Sequence, residues 1–153
     1  MAVDQKLQNA SGRIRAYAFR LLPHNDVKKS IFDFARKNKM RAGCVLSAVG
    51  SLEQSNIRYA NQIQCVRSKG FVEVLSLTGT FSETSAHLHI SVADATGHTT
   101  GGHLLGENLV YTTMEIVVGE LQDCEFVREK DSAYGYDELV VRSVIQKNNE
   151  SGN

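Results

Sequence analysis

Four of the five histidines in this sequence lie in one glycine-containing segment, residues 86–108, which reads A-H-L-H-I-S-V-A-D-A-T-G-H-T-T-G-G-H-L-L-G-E-N. Side chains alternate between the two faces of a strand, so His87 and His89 project from the same side at a separation that suits one shared cation. The turn residues D-A-T-G allow a return strand that brings His103 beside this pair. The spacing therefore predicts three converging imidazoles.

Neutral imidazoles suit zinc, with nickel, cobalt and iron(II) as alternatives. Three histidines with a water in the fourth position form an open site, and such an ion lowers the pKa of its water to about 7, which supplies hydroxide for hydrolysis or hydration. Glu83, Glu107 and Glu115 are the candidates for a carboxylate base or a support for a ligand. The competing interpretation is that the histidines are polar surface residues and that the glutamates are exposed and have no role.

Gly101 and Gly102 precede His103 and have two interpretations. They supply a bulge or a positive φ at the strand end, or they let backbone N–H groups approach an anionic ligand. The sequence contains no G-x-x-x-x-G-K and no G-x-G-x-x-G, so nucleotide phosphate binding has no specific signal.

Charge and hydropathy exclude several classes of protein. Lys plus Arg and Asp plus Glu number 17 each, which disfavours a general attraction to nucleic acid. No stretch approaches the roughly 20 apolar residues that span a bilayer, so we expect no membrane association. No basic import signal is present, and the cytoplasm is the expected location, with the nucleus as an alternative.

The elements that position the histidines are mostly strands. An alternating segment at 13–22 predicts a first strand, and Asn25 or Asp26 caps a helix with its apolar residues on one face. Further β-rich runs occur at 44–49, 56–60, 64–69, 71–77, 86–93, 110–121 and 125–129. Short turns between them favour a single α+β domain with a mostly antiparallel sheet of about seven strands packed against one main helix. The apolar strands exceed what one helix covers, which predicts an oligomer.

Several motifs point to a known family. In order, the chain carries L-T-G-T-F at 77–81, H-L-H-I-S at 87–91, A-D at 93–94, G-G-H-L at 101–104 and a strand at 115–121. Their order and spacing resemble the PPC domain, the plant and prokaryote conserved domain. The likeness extends to the first strand, the helix, A-V-G-S-L at 48–52, and a closing segment with Phe126, Arg128, Asp131, Gly135, Tyr136, Glu138 and Leu139.

The resemblance implies a homotrimer and a divalent metal, zinc first, held by His87, His89 and His103. In plants the domain is joined to an AT-hook in nuclear DNA-binding proteins, but this sequence has no R-G-R-P element. One segment is similar to the plant G-R-F-E-I-L segment for partner association, with phenylalanine in place of the arginine; it consists of Gly70, Phe71, Val72, Glu73, Val74 and Leu75.

These observations predict a PPC-like domain at 12–145 between flexible termini at 1–11 and 146–153. The function expected from them is a trimeric binding or regulatory protein with a three-histidine metal site, associated with DNA or chromatin through partner proteins. The alternative is a small zinc-dependent hydrolase with an open site at or near a subunit interface.

Overall fold

The computed structural model describes residues 9–144 and contains one helix and eight strands in this part of the chain. The elements, in chain order, are β1 (Ile14–Leu21), α1 (Val27–Lys37), β2 (Gly43–Arg58), β3 (Val66–Phe81), β4 (Ala86–Ala93), β5 (Thr99–Leu104), β6 (Leu109–Leu121), β7 (Cys124–Lys130) and β8 (Asp137–Ser143). All pairings between these strands are antiparallel. The predicted α+β class is confirmed. The expected flexible terminus at 146–153, and most of that at 1–11, lie outside the described residues.

Six strands form one sheet in the order β1-β6-β2-β3-β4-β5, and β7 and β8 form a separate hairpin. The end of β2 also pairs with β5, where Ile57 lies opposite Leu104 and Arg58 opposite His103. This extra pairing closes β2, β3, β4 and β5 into a ring. It places the end of β2 next to the histidine-bearing strands, although residue 58 is far from residue 103 in sequence.

Two pairs of predicted short strands are each one long strand, so those boundaries were wrong. The runs at 44–49 and 56–60 both belong to β2, and the runs at 64–69 and 71–77 both belong to β3. The polar residues that suggested a break in β2 are buried and bonded inside the sheet: Ser51 Oγ lies 2.8 Å from Thr112 Oγ1, and the Asn56 N–H donates to Asn108 Oδ1 over 2.9 Å. A satisfied polar group does not interrupt a ladder.

Helix α1 covers one face of the sheet. Of the two predicted cap candidates, Asn25 and Asp26, it is Asp26 that caps the first turn, where its Oδ1 accepts from the Lys29 N–H over 2.9 Å. Val27, Ile31 and Ala35 are fully buried against a core drawn from all six strands of the main sheet. The helix therefore covers one side of the sheet. Among residues 9–144, no helix combines the length and the apolar character needed to span a bilayer.

The other face of the sheet carries exposed apolar side chains. Val49, Phe71, Leu75 and Tyr111 are between 41% and 63% exposed. Phe71 and Tyr111 lie in contact, with ring centroids 4.1 Å apart. These residues alternate in their strands with core positions, so they point away from the helix.

Candidate metal centre

Strands β4 and β5 bring the three predicted histidines together. His87 and His89 alternate in β4 with Leu88 and Ile90, which are 3% and 2% exposed in the core. In the pairing of β4 with β5, His89 lies directly opposite His103. The strand period and this register put all three imidazoles on the outer face of the sheet.

The imidazole nitrogens are close enough to share one ion. His89 Nε2 lies 3.1 Å from His87 Nε2 and 3.1 Å from His103 Nδ1, and the three donor atoms all lie within 4.8 Å of one another. Tetrahedral zinc with bonds of about 2.0–2.1 Å sets its ligand nitrogens roughly 3.3 Å apart. The two separations of 3.1 Å and the nitrogen donors fit zinc. Among residues 9–144 the cluster contains no fourth ligand from Cys, Asp or Glu.

The turn between β4 and β5 holds the two strands in this register. Asp94 Oδ1 accepts from the N–H of Thr96 over 2.8 Å, from its hydroxyl over 2.6 Å, and from the His98 N–H over 3.1 Å. The Thr96 side chain, followed by its backbone N–H, lowers the pKa of the Asp94 carboxyl below its ordinary value. A carboxylate that stays ionised keeps this turn closed over a wide pH range.

Three glycines let neighbouring strands approach each other closely beside the histidines. Gly79 lies opposite Leu88 with a φ of +135°, and a Cβ there would be 2.0 Å from the His87 carbonyl oxygen. A Cβ on Gly102 would be 2.5 Å from the Arg58 carbonyl oxygen, and one on Gly101 would be 2.6 Å from that of Ile90. Neither Gly101 nor Gly102 has a positive φ. Their smallness therefore serves strand packing beside His103.

An open cavity of about 980 Å³ adjoins the cluster and includes His87 and His103 in its walls. The charged side chains around it are three cations and two acids, namely Lys28, Arg58, Arg128, Asp137 and Glu138. Burial is the main reason why the pKa of His87 and the pKa of His103 are both lowered. The second cause is the charge of His89 in the case of His87, and the charge of Arg58 in the case of His103. These two imidazoles are therefore neutral at neutral pH, the form that binds metal.

The predicted carboxylates occupy other positions. Glu107 forms an ion pair with Arg67, and Glu115 lies opposite Arg20 between β1 and β6. Glu83 is in the turn after β3, where its backbone carbonyl accepts from Arg36 Nε over 3.2 Å. None of these three glutamates lines the cavity.

Sequence reasoning assigned no site role to the charged residues that do line the cavity. No local sequence pattern marks Arg58 as a site residue, because only the β2–β5 pairing brings it beside His103. Arg128 and Glu138 belong to the closing segment of the family pattern, which was the one available hint. They reach the site because Arg128 of β7 contacts the end of β3, where its Nη2 donates to Thr80 Oγ1 over 3.2 Å, and because β8 pairs with β7.

The segment predicted for partner contact, residues 70–75, lies within β3. Val74 is 4% exposed and belongs to the core, whereas Phe71 is 63% and Leu75 is 54% exposed. Only the outward-facing members of this segment are therefore available for contact with another molecule.

The model of the Plants and Prokaryotes Conserved domain, abbreviated PCC or PPC, matches residues 8–122. The chain belongs to this family. The match covers the main sheet, the helix and the three histidines, and it ends before β7. The matched residues thus contain the three-histidine cluster, whereas the hairpin that supplies Arg128 and Glu138 lies beyond them.

Relatives of this PCC chain occur in bacteria and plants. It is 43% identical over 136 residues to a bifunctional protein GlmU of Synechococcus, which covers 89% of this chain and 22% of that protein. The chain thus spans about a fifth of the length of that relative. It is 27% identical over 127 residues to AT-hook motif nuclear-localized protein 20 of Arabidopsis thaliana, covering 79% of this chain and 45% of that protein. A solved structure of a protein from Salmonella enterica superposes with a TM-score of 0.88 at 39% identity, covering 91% of this chain and 100% of the other.

Proposed function

We propose that this PCC protein is a binding and regulatory module that holds one divalent cation, zinc, on His87, His89 and His103. The observation that carries the proposal is the convergence of three imidazole nitrogens beside an open cavity, without a fourth protein ligand among the described residues. A purely structural zinc site is closed by four protein ligands, whereas three ligands leave a position for another molecule. When bound, the ion supplies a Lewis acid at the wall of the cavity.

The test of this proposal is zinc content per subunit, measured on protein purified without a histidine tag. We expect about one zinc per subunit in the wild type and none after His87, His89 and His103 are all changed to alanine. The matched control is His98→Ala, since His98 is an exposed histidine in the same segment and outside the cluster. Failure of the wild type to take up zinc on titration would overturn the proposal.

We also propose that the module assembles as a homotrimer through the exposed apolar face of the sheet. Support comes from the exposed rings of Phe71 and Tyr111, which contact each other at a tilt of 33°, and from Val49 and Leu75 on the same face. Burying such side chains in a subunit contact removes apolar area from water. Phe71→Glu is expected to reduce the trimer to monomers in analytical ultracentrifugation, while Tyr134→Glu, at an 81% exposed tyrosine in the β7–β8 turn, leaves it unchanged. A wild-type monomer would refute this assembly.

Association with DNA or chromatin is the role suggested by the plant relatives, and we propose that it runs through partner proteins. The sequence lacks an R-G-R-P element and balances 17 basic against 17 acidic residues. Direct contact with phosphates requires a basic surface and gives binding that weakens steeply with salt. We therefore expect no shift of an AT-rich duplex by this chain alone at physiological salt. Tight, salt-dependent binding would contradict this part of the proposal.

A zinc-dependent hydrolase is the second candidate, and one observation favours it. Glu138 lines the same cavity as His87 and His103, and its charge acts on His87. A carboxylate within reach of a metal site is a candidate proton acceptor. Zinc-loaded protein should then hydrolyse activated esters, and Glu138→Gln should lower kcat by about 100-fold without loss of zinc. Turnover that persists unchanged in metal-free protein would exclude this candidate.

A further inference from the structure

We propose that the cavity beside the three histidines binds a small organic anion, whose carboxylate or phosphate group is held by Arg58 and Arg128 and completes the coordination of the ion. The contact with the ion rests on the metal binding proposed above. The contacts with the two arginines do not, since both side chains are present in the cavity wall without it.

Both arginines are positioned by hydrogen bonds to neutral oxygen acceptors. Arg58 Nη1 donates to the Gln62 carbonyl oxygen over 3.1 Å, and Arg128 Nη2 donates to Thr80 Oγ1 over 3.2 Å. Within residues 9–144 neither guanidinium forms an ion pair with a carboxylate. A guanidinium carries five N–H donors in a planar fork that matches an oxyanion, and each of these contacts occupies one donor. Both groups therefore have donors to offer a ligand.

The strand register places these arginines on both sides of the histidines. Arg58 of β2 lies opposite His103 of β5, and Thr80 of β3, which anchors Arg128, lies opposite His87 of β4. Directly opposite residues on one face of a sheet lie about 5 Å apart at their Cβ atoms. An oxyanion in front of the histidines is thus within reach of a positive charge from either side.

The rest of the cavity fits a small anion with a second polar end. Lys28 adds a third cation; it is half-buried, and burial lowers the pKa of its ammonium group. The lining also includes Tyr136, Asp137 and Glu138 from the start of β8 and the turn before it. Two acids there disfavour a polyanion along the whole cavity but accept hydrogen bonds from a hydroxyl or amino group. The volume of about 980 Å³ is that of a typical small-molecule site.

This arrangement makes the hairpin the part that selects the ligand. The family match ends at residue 122, whereas Arg128, Tyr136 and Glu138 all come from β7, β8 and their connection. The histidines and Arg58 belong to the residues that the family model matches, and the hairpin residues do not. The ligand's second polar end therefore meets residues beyond the matched part of the chain.

The test separates the arginines from the metal. Zinc-loaded and metal-free protein are titrated calorimetrically with succinate and with inorganic phosphate, and with succinamide as the uncharged analogue of succinate. The variants are Arg58→Gln and Arg128→Gln. Arg20→Gln is the control, because Arg20 is an exposed arginine on edge strand β1 and does not line the cavity. Zinc per subunit is measured before and after each titration.

We expect loaded wild type to bind at least one of the two anions and not succinamide. Each cavity variant should weaken binding by about tenfold or more at unchanged zinc content, which is the scale of one charge-assisted hydrogen bond, and Arg20→Gln should not. Metal-free protein should bind the anion more weakly, with the same dependence on the arginines. The anion that binds more tightly identifies the ligand as a carboxylate or a phosphate.

The outcomes distinguish this inference from the metal proposal. Full zinc content with no anion binding, or with binding that neither arginine variant weakens, overturns the inference and leaves the metal site standing. Arginine-dependent anion binding by a protein that takes up no zinc overturns the metal proposal and retains the role of the arginines. Absence of both overturns both.

Discussion

Gly79→Ala is the substitution that most directly tests how the fold holds His87, and Gly70→Ala is its matched control. Both glycines lie in β3 with positive φ, +135° for Gly79 and +146° for Gly70. An alanine at either position is strained by roughly 1–3 kcal/mol because of its φ. Only their surroundings differ, so the pair separates backbone strain from the close approach of two strands.

The difference between the variants follows from the neighbouring strand. The new Cβ at Gly79 would lie 2.0 Å from the His87 carbonyl oxygen and 2.9 Å from Leu88 Cα, whereas at Gly70 no atom of residues 9–144 would lie within 4 Å. A normal carbon–oxygen contact is about 3.3 Å, so β4 must move by about 1 Å. This shift weakens ladder hydrogen bonds worth about 1 kcal/mol each and disturbs the packing of Leu88, so Gly79→Ala should be less stable than Gly70→Ala by about 2–3 kcal/mol.

The same displacement should also alter the proposed zinc site. Metal–ligand distances tolerate about 0.2 Å, so a shift of His87 by about 1 Å removes it from its coordinating position. We expect zinc affinity to fall roughly 10- to 100-fold in Gly79→Ala and to be unchanged in Gly70→Ala.

Two assays measure these effects. Urea unfolding of metal-free wild type and both variants, at one protein concentration, gives the stability difference, and competition with a chromophoric chelator gives zinc affinity. If the two variants are equally stable within about 0.5 kcal/mol and bind zinc equally, the reasoning that β3 approaches His87 too closely for an alanine is refuted.

Two further predictions concern the polar interior and pH. Asn108→Ala should lower the free energy of unfolding by about 3 kcal/mol, because this fully buried amide makes three hydrogen bonds to backbone groups. Asn25→Ala is the control and should cost under about 1 kcal/mol, because Asn25 is exposed and its side chain makes one such bond. Similar urea midpoints for the two variants would contradict this. Burial lowers the pKa of His87 and of His103 below the ordinary 6.5, so folding opposes their protonation. The free energy of unfolding of the metal-free protein should therefore be highest above pH 6.5 and decrease as the pH falls through the folded pKa values. Zinc affinity should be independent of pH above about pH 6.5 and fall only as the pH drops through the lowered pKa values of these imidazoles, and a chelator-competition constant that already falls between about pH 8 and pH 7 would refute this.

Much of the fold was predictable because its signals are local. Strand β4 was predicted with its observed bounds, since strict alternation of apolar and polar residues marks a half-buried strand. The cap at Asp26 and the buried face of α1 follow from residue type and helical spacing in the same way. The breaks wrongly predicted inside β2 and β3 rested on glycine and polar residues, whose effect depends on partners in other strands. Asn56 is a residue type that favours turns, but here its backbone N–H and carbonyl both bond to the Asn108 side chain inside the core.

The sequence by itself determined the three histidines as a set. Strand alternation puts His87 and His89 on one side, and the Asp94 turn returns the chain so that His103 meets them. The tertiary structure alone decided what surrounds that set. The β2–β5 pairing brought Arg58 to His103, the β7–β8 hairpin brought Arg128 and Glu138, and the predicted glutamates were left elsewhere. Periodicity and turn chemistry act over a few residues, whereas the closure of a sheet and the folding back of a hairpin depend on contacts far apart in sequence, which no local pattern encodes.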